Sequence, residues 1–382
     1  MHYKPILLKL AIISHTEHYQ DKTGNIVGWG PTITEINHLA DHFNYIYHLA
    51  FFYEEPPKKS SLPYDKANIE FVSLPISGGK TIMDKLGILF DMPLLITKVD
   101  QYLKKVDVFQ FRVPIGFGVY LIPYLTMMSR KLGWFKYAGN WNQKNPSIGY
   151  AIQLYFLKKQ SRKVTINGKW PNQPNQCYTF ENPCLTDQER YLGKDLIWQK
   201  DYSPPYELCF VGRLEDEKGV QRILDGLKNI NRSGFIKNIH MIGDGVKKED
   251  YKKQIKKYDL PVSLHGFLER DEVFKFYQRS HFLLLPSTAS EGFPKVIAEG
   301  MNYGCIPIVS AISSIGQYIN NENGFIVEPT NAEKLTQILK EIEGLPENVL
   351  KNKVNLSYDV AKNFTYEYYI GRIKKDILEK DY

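Results

Sequence analysis

The chain has 382 residues, a net charge of +7, 43% hydrophobic and 24% charged residues. This composition excludes a disordered chain, and the length suits two domains, each with its own core. No run of about twenty apolar residues occurs, which argues against a membrane-spanning segment. The N-terminus also lacks a signal-peptide pattern, and the four scattered Cys match no zinc spacing, so we expect a cytoplasmic protein with reduced thiols.

The positive charge is concentrated in the first half. Residues 1–200 hold 24 Lys and Arg against 16 Asp and Glu, whereas residues 201–382 hold 25 against 26. Residues 101–163 contain 11 basic residues and one acid, Asp107. This excess indicates an anionic partner for the first half, such as a polyanion or an anionic membrane surface. A solvated basic face is the alternative.

The first predicted strand, Pro5–Ser14, is followed by a polar loop over His15–Pro31 that contains Gly28 and Gly30. Glycine leaves the backbone open, which favours approach by a phosphate or a sugar. A flexible surface loop is the alternative. The next helix is predicted to start at Thr32, because Thr32 and Glu35 have the spacing of a capping box.

Strand and helix patterns alternate through the rest of the first half, which predicts a doubly wound parallel sheet. Ligands of such sheets bind beyond the carboxyl ends of the strands. Four residues at those ends are therefore candidates for one ligand-binding rim: His15, Arg112, Asn140 and Trp141. The predicted strands are 45–53, 69–76, 107–111, 134–138, about 164–168 and 177–180, and the predicted helices are 80–105, 119–132 and about 147–161.

The second half begins after a Pro-containing segment, 201–205, which we predict to be the interdomain linker. The strand Tyr206–Val211 ends at Gly212 and Arg213, and Lys218 follows near a helix start. Two cations beside a helix N-terminus suit a diphosphate. A charged turn with internal ion pairs is the alternative.

The next predicted strand, 239–242, ends at Gly243, and the short predicted strand 263–267 has a bare backbone at Gly266. Helices are predicted after them at 246–257 and 270–279. The apolar run 282–285 then leads into a turn, where Pro294 suits the first turn of a helix. Glu291 is predicted on that turn and Glu299 about two helical turns further on. Favourable contact with the helix dipole is the alternative role for such acids. The remaining predicted elements are strands at 306–309 and 325–327 and helices at 331–342 and about 366–379.

Several motifs of the second half together resemble the donor-binding half of the retaining GT-B glycosyltransferases of family GT4, over roughly residues 206–330. In chain order they are Gly212-Arg213 with Lys218, Gly243, Gly266-Phe267, and Glu291-Gly292-Phe293-Pro294 with Glu299. The resemblance implies an α/β GT-B fold with two doubly wound Rossmann-like domains that face each other across a cleft. Residues 1–200 would form the acceptor-side domain and 201–358 the nucleotide-sugar domain, with a C-terminal helix at about 360–382 packing back on the first.

The resemblance also implies roles for individual residues. Arg213 and Lys218 would neutralise the donor diphosphate, Glu291 would lie near the donor sugar, and Glu299 would bind the ribose. Arg112 stands where many family members have a His near the reacting sugar, which makes Arg112 a catalytic candidate. The other donor-binding candidates implied are Gly28, Gly30, Gly212, Gly243, Gly266, Phe267, Gly292, Phe293 and Pro294.

The activity that the resemblance implies is transfer of a hexosyl or N-acetylhexosaminyl group from a UDP- or GDP-sugar, with retention and without a metal. The acceptor would be a glycan or a lipid-linked glycan in polysaccharide or cell-surface glycan synthesis. We expect no nucleic-acid partner. The expected location is the cytoplasm, including peripheral association with the inner face of the cell membrane. A GT-B epimerase and a non-catalytic, nucleotide-sugar-binding scaffold are the alternatives.

Overall fold

The structure, a computed structural model, describes residues 6–76, 82–230 and 234–379. It forms two compact units: the first ends at Glu181 and also includes the chain from Tyr369 onward, and the second is Asn182–Tyr368. Parts of three predicted elements lie outside the described residues, namely Pro5, residues 80–81 and residues 380–382.

Unit 1 is built on a mainly parallel sheet. Its strands are β1 (Ile6–Gln20), β2 (Ile26–Trp29), β3 (Phe43–Phe52), β4 (Ser61–Pro63), β5 (Ile69–Leu74), β6 (Val108–Val113), β7 (Leu132–Tyr137), β8 (Val164–Ile166) and β9 (Cys177–Thr179). Its helices are α1 (Gly30–Ala40), α2 (Ile82–Leu103), α3 (Gly118–Pro123) and α4 (Ile148–Lys159). The parallel strands lie in the order β5-β3-β1-β6-β7-β8-β9, and β2 and β4 add antiparallel pairs beside β1. The central strands are apolar because the sheet is buried, as Leu10–Ile13 of β1 illustrates.

The predicted polar loop at His15–Pro31 is instead a β-hairpin. Strand β1 continues to Gln20 and pairs with β2 around a turn at 21–25. Asp21 fixes that turn by accepting hydrogen bonds from the amides of Thr23 and Asn25, each at 2.9 Å. The polar residues of the turn at 21–25 are largely exposed, whereas Thr16 and His18 of β1 belong to a buried hydrogen-bond network.

This network closes on itself at the end of β1. The Thr16 carbonyl can only accept, so His18 Nδ1 donates to it (3.0 Å) and His18 Nε2 accepts from Tyr64 (2.8 Å). The single Tyr64 proton is then used, so Tyr64 accepts from His48 Nδ1 (2.6 Å) and His48 Nε2 accepts from Ser14 (2.8 Å). The Ser14 and Thr16 hydroxyls, 2.8 Å apart, complete the ring. Burial lowers the pKa of each histidine, that of His18 to about 4, so both rings are neutral at pH 7 and the directions above are those of neutral imidazoles.

Unit 2 has a fully parallel sheet in the order β12-β11-β10-β13-β14-β15. Its strands are β10 (Tyr206–Val211), β11 (Ile236–Ile242), β12 (Val262–Gly266), β13 (Phe282–Leu285), β14 (Ile306–Val309) and β15 (Phe325–Ile326). Its helices are α5 (Asp187–Gln199), α6 (Val220–Lys228), α7 (Lys248–Tyr258), α8 (Arg270–Arg279), α9 (Lys295–Asn302), α10 (Ile315–Tyr318), α11 (Ala332–Glu343) and α12 (Glu347–Ala361), and α13 (Tyr366–Arg372) follows at the junction with unit 1. The strand order reverses between β10 and β13, which makes the carboxyl ends of these two strands the expected ligand edge.

The boundary between the units differs from the one expected at residues 200 and 201. The predicted linker is packed into unit 2, because Tyr202 is buried and donates to the Gly304 carbonyl at 2.8 Å. Helix α5 also belongs to unit 2, and its Gly193 lies so close to Asn302 that an added Cβ would be 2.2 Å from the carbonyl oxygen. Past α13, Lys163 donates to the Ile377 carbonyl at 2.6 Å within unit 1.

Candidate functional site

Three glycines lie side by side at the carboxyl ends of β10, β11 and β12. The amide of Gly212 donates to the Ile242 carbonyl (3.0 Å) and that of Gly243 to the Gly266 carbonyl (2.8 Å). Gly243 has φ +136°, and a Cβ there would lie 1.9 Å from the Gly212 oxygen. Only glycine fits at this position, so the edge of the sheet presents bare backbone to a ligand.

Lys218 sits on the turn that follows β10. The next residue, Gly219, has φ +97°, and a Cβ added to it would lie 2.5 Å from the Pro286 carbonyl oxygen. Ser287 donates from its hydroxyl to the Glu217 carbonyl at 3.0 Å. The turn after β10 is therefore packed directly on the loop after β13, as the strand reversal requires.

Arg222 joins the same two segments and was not among the residues predicted from the sequence. Its Nε donates to the Pro286 carbonyl (2.8 Å), and its NH2 group donates to the Asp216 carbonyl (3.0 Å) and the Thr288 hydroxyl (3.1 Å). An Arg in the first turn of a helix is usual on a solvated face too, so the sequence offered no signal for this role.

The structure brings Lys218 and Glu291 together. Lys218 Nζ lies 2.5 Å from Glu291 Oε1, and the Lys218 side chain is 13% exposed against 44% for Glu291. Arg213, on the same edge, is 66% exposed and pairs with Glu215 at 3.1 Å. A part-buried ammonium and an exposed guanidinium on one edge can stabilise a diphosphate.

The predicted turn from β13 into α9 is confirmed. Gly292 is buried, and the buried Phe293 ring stacks on Phe364 with ring centroids 4.5 Å apart, which anchors the turn. Pro294 directly precedes α9, whose first amides have no partner within the helix. The helix start can therefore bind an anion through these amides.

Glu299 lies part-way along α9, beneath this turn. Tyr277 donates to Glu299 Oε2 at 3.3 Å. Burial of the Glu299 carboxyl group raises its pKa, whereas the nearby cations Arg270 and Lys295 lower it. A carboxyl group in this setting can accept hydrogen bonds from hydroxyl groups of a ligand. Phe267, half-buried after β12, offers a ring at the same edge.

In unit 1, Arg112 lies inside the protein and not on an open rim. Its NH2 group donates to Glu35 Oε1 (2.9 Å), its Nε donates to Gln110 (2.8 Å), and Lys136 Nζ reaches the same Glu35 oxygen at 2.6 Å. The capping-box prediction is wrong, because α1 begins at Gly30 and the Glu35 carboxylate serves these two buried cations. The catalytic role of Arg112 stays a prediction; its contacts are those of a buried ion pair.

The other rim candidates of unit 1 have different surroundings. His15 is exposed, yet desolvation by the protein lowers the pKa of its imidazole, an effect that Glu17 opposes and Arg112 reinforces. Asn140 is half-buried and accepts from the Asn142 amide at 3.0 Å. Trp141 is in the core, with its ring 5.1 Å from that of Tyr137, and is not placed to stack on a ligand.

Gly28 and Gly30 are packed within unit 1. A Cβ added to Gly28 would lie 2.6 Å from the His18 ring, and one added to Gly30 would lie 2.7 Å from the Ser60 carbonyl oxygen. The Gly30 amide already donates to that oxygen at 2.8 Å. Close internal packing is therefore sufficient to explain both glycines.

Two absences can be stated for the described ranges 6–76, 82–230 and 234–379. Within them, no helix combines the length and the apolar character that crossing a membrane requires. The same residues hold no group of three or more His, Cys, Asp or Glu arranged to bind a metal ion.

The two Rossmann-like sheets are those of the GT-B fold. Residues 198–355 match the model of the family described as Glycosyl transferases group 1. The predicted fold class is confirmed, because solved glycosyltransferases share the fold over nearly the whole chain. The resemblance is confirmed as one to glycosyltransferase group 1 over residues 198–355, and retention of configuration stays a prediction. HepE of Anabaena, solved in complex with UDP, has a TM-score of 0.68 at 15% identity, covering 97% of this chain and 99% of its own.

Relatives of similar sequence match part of the chain. An uncharacterized glycosyltransferase of Methanocaldococcus jannaschii is 29% identical over 168 residues, or 44% of this chain and 46% of its own. The amylovoran biosynthesis glycosyltransferase AmsD of Erwinia amylovora is 29% identical over 132 residues, or 35% of this chain and 37% of its own. The chain thus spans less than half the length of these curated relatives.

Proposed function

We propose that this protein is a retaining glycosyltransferase that moves a sugar from a nucleotide sugar to a glycan or lipid-linked glycan. One observation carries the proposal: Lys218 and Glu291 meet at the switch point of unit 2, beside the bare backbone of Gly212 and Gly243. A cation, an acid and open main chain on one edge suit a ligand with both phosphates and hydroxyl groups. The group 1 match over residues 198–355 supports the same conclusion.

In the proposed reaction, the bond between the anomeric carbon and the phosphate oxygen breaks, and its electron pair passes to that oxygen. The acceptor hydroxyl bonds to the same face of the carbon, and its proton passes to the departing diphosphate. Lys218, Arg213 and the start of α9 stabilise the growing negative charge. The protein's own cations would do this without a metal, so we expect EDTA to leave activity unchanged.

The remaining site residues would hold the rest of the donor. Glu299 accepts hydrogen bonds from the ribose hydroxyls, and Phe267 contacts the base of a UDP- or GDP-sugar. The complex of HepE with UDP supports a nucleotide donor of this kind. The transferred group would be a hexosyl or an N-acetylhexosaminyl unit.

For the acceptor, we propose an intermediate of polysaccharide or cell-surface glycan synthesis, bound by unit 1. AmsD, named for amylovoran biosynthesis, supports this class of product. The rim residues His15 and Asn140 are the proposed contacts. Arg112 would act by shaping that rim, because its own groups are engaged by Glu35 and Gln110.

We also propose that unit 1 associates peripherally with the cytoplasmic, anionic face of a membrane. Helix α4 exposes one apolar stripe: Ile148 is 82% exposed, Ile152 40% and Tyr155 61%. Exposed Lys158 and Lys159 follow on the same helix, which suits anionic lipid next to an apolar interior. Co-sedimentation with anionic and neutral vesicles tests this, and Ile148→Ser should release the protein from anionic vesicles.

The function is tested through Lys218. We expect wild type to bind UDP or GDP and to consume one nucleotide sugar, and Lys218→Ala to lose activity by roughly 10²–10³-fold. Lys252→Ala, an exposed change on α7, is the matched control and should behave as wild type. The proposal fails if wild type binds no nucleoside diphosphate and no nucleotide sugar, or if both variants act alike.

A further inference from the structure

The ion pair between Lys218 and Glu291 occupies the same ammonium that the proposed donor diphosphate needs. Among the residues the structure describes, Glu291 is the only acid that pairs with the Lys218 side chain. The carboxylate lies on the solvent side, since Glu291 is 44% exposed and Lys218 13%. An anion that arrives from solvent therefore meets Lys218 with its charge already neutralised.

The fold holds these two side chains within reach of each other. Gly219 rests on the Pro286 carbonyl, and Arg222 hydrogen-bonds both the turn that carries Lys218 and the loop that leads to Glu291. The pair can thus form and break through side-chain rotation, without movement of either backbone segment. Two anions, the carboxylate and a diphosphate, compete for one cation.

We propose that Glu291 is an exchangeable counter-anion that makes the site prefer a nucleotide sugar over a free nucleoside diphosphate. When a nucleotide sugar binds, the sugar hydroxyls donate to Glu291 and draw it away from Lys218, which is then free for the diphosphate. After transfer the sugar is gone, Glu291 returns to Lys218, and the nucleoside diphosphate is displaced. This inference rests on the proposed function and adds a role in product release.

The test is Glu291→Gln, which keeps the shape of the side chain and removes its charge. We expect this variant to bind UDP or GDP, whichever wild type binds, about 5–10-fold more tightly, and to bind inorganic pyrophosphate more tightly as well. Affinity for the nucleotide sugar should not rise in parallel, because a hydroxyl-accepting carboxylate is lost. In turnover, inhibition by the nucleoside diphosphate product should become correspondingly stronger.

Glu217→Gln is the matched control. Glu217 lies next to Lys218 on the same turn, is exposed, and makes no ion pair within the described part of the chain. The Glu217→Gln variant loses the same charge without changing a contact of the Lys218 ammonium. Its affinity for each ligand should therefore change by less than about twofold. Glu291→Ser is a second variant, and calorimetric melting confirms that each variant is folded.

The inference is overturned if Glu291→Gln and Glu291→Ser bind the nucleoside diphosphate with unchanged or lower affinity than wild type. It is also overturned if Glu217→Gln raises that affinity as much as Glu291→Gln does. That result leaves the proposed function standing, provided that Lys218→Ala still loses binding. The proposed function itself fails in a different way, namely when wild type binds none of these ligands.

Discussion

The hydrogen-bond ring at the end of β1 should make unit 1 sensitive to acid. His18 and His48 are buried and neutral, and every ring nitrogen of the pair has a partner. Adding a proton to His18 Nε2 would displace the Tyr64 hydroxyl that donates to it. Burial makes the charged form of His18 unfavourable in the folded protein, and this lowers the pKa of His18 from its ordinary 6.5 to about 4.

The direction and size of the effect follow from this shift. Below pH 6.5 the unfolded chain binds a proton at His18 that the folded chain refuses until about pH 4. The contribution of His18 to the free energy of unfolding is therefore fully present above pH 6.5 and is lost as the pH falls from 6.5 to 4. At about 1.36 kcal/mol per pKa unit, protonation of His18 alone lowers the free energy of unfolding by about 3 kcal/mol over that range, and by about 2 kcal/mol by pH 5.

Urea unfolding of wild type and His18→Gln at pH 7.5 and at pH 5 measures this contribution. The variant is less stable at pH 7.5, but its free energy of unfolding should change between the two pH values by about 2 kcal/mol less than that of wild type. His48→Gln should reduce the change in the same direction. Equal pH dependence in wild type and His18→Gln would refute the assignment of a neutral, buried His18.

Three further outcomes are expected. Gly193→Ala should lower the stability of unit 2 by about 1–3 kcal/mol, because its Cβ would meet the Asn302 carbonyl oxygen at 2.2 Å; an unchanged melting temperature would contradict this packing. Glu35→Ala should lower the free energy of unfolding by about 3–5 kcal/mol, since it removes the carboxylate that the buried Arg112 and Lys136 share, and urea unfolding against Asp41→Ala checks it. Glu299→Gln should weaken binding of UDP or GDP about tenfold and leave the binding of inorganic pyrophosphate unchanged. Titration calorimetry measures both affinities, and an equal loss for the two ligands would contradict the proposed contact with the ribose.

The ligand edge of unit 2 was predictable because its residues follow strands in simple order along the chain. Lys218 comes shortly after β10 and Glu291 shortly after β13, so a parallel sheet alone places them at one edge. Arg222 escaped prediction because two of its acceptors, Pro286 and Thr288, lie 64 and 66 residues away along the chain, and only folding brings them close.

Unit 1 was less predictable because tertiary contacts there override local patterns. Thr32 and Glu35 have capping-box spacing, yet the Glu35 carboxylate accepts hydrogen bonds from Arg112 and Lys136. Thr186 and Glu189 have the same spacing and do form a capping box at the start of α5. The pattern is the same in both places, but α1 begins at Gly30, before Thr32, whereas α5 begins directly after Thr186.

The division of unit 1 into two stretches of chain has a consequence for its synthesis. On the ribosome, the sheet up to β9 emerges long before Tyr369, whose buried ring contacts Phe180, and before Ile377, whose carbonyl accepts from Lys163. All of Asn182–Tyr368 is translated in between, so unit 2 can acquire its core first. The first domain in sequence is thus the last to be completed, and a truncated chain that stops after Tyr368 should carry a finished unit 2 beside an incomplete unit 1.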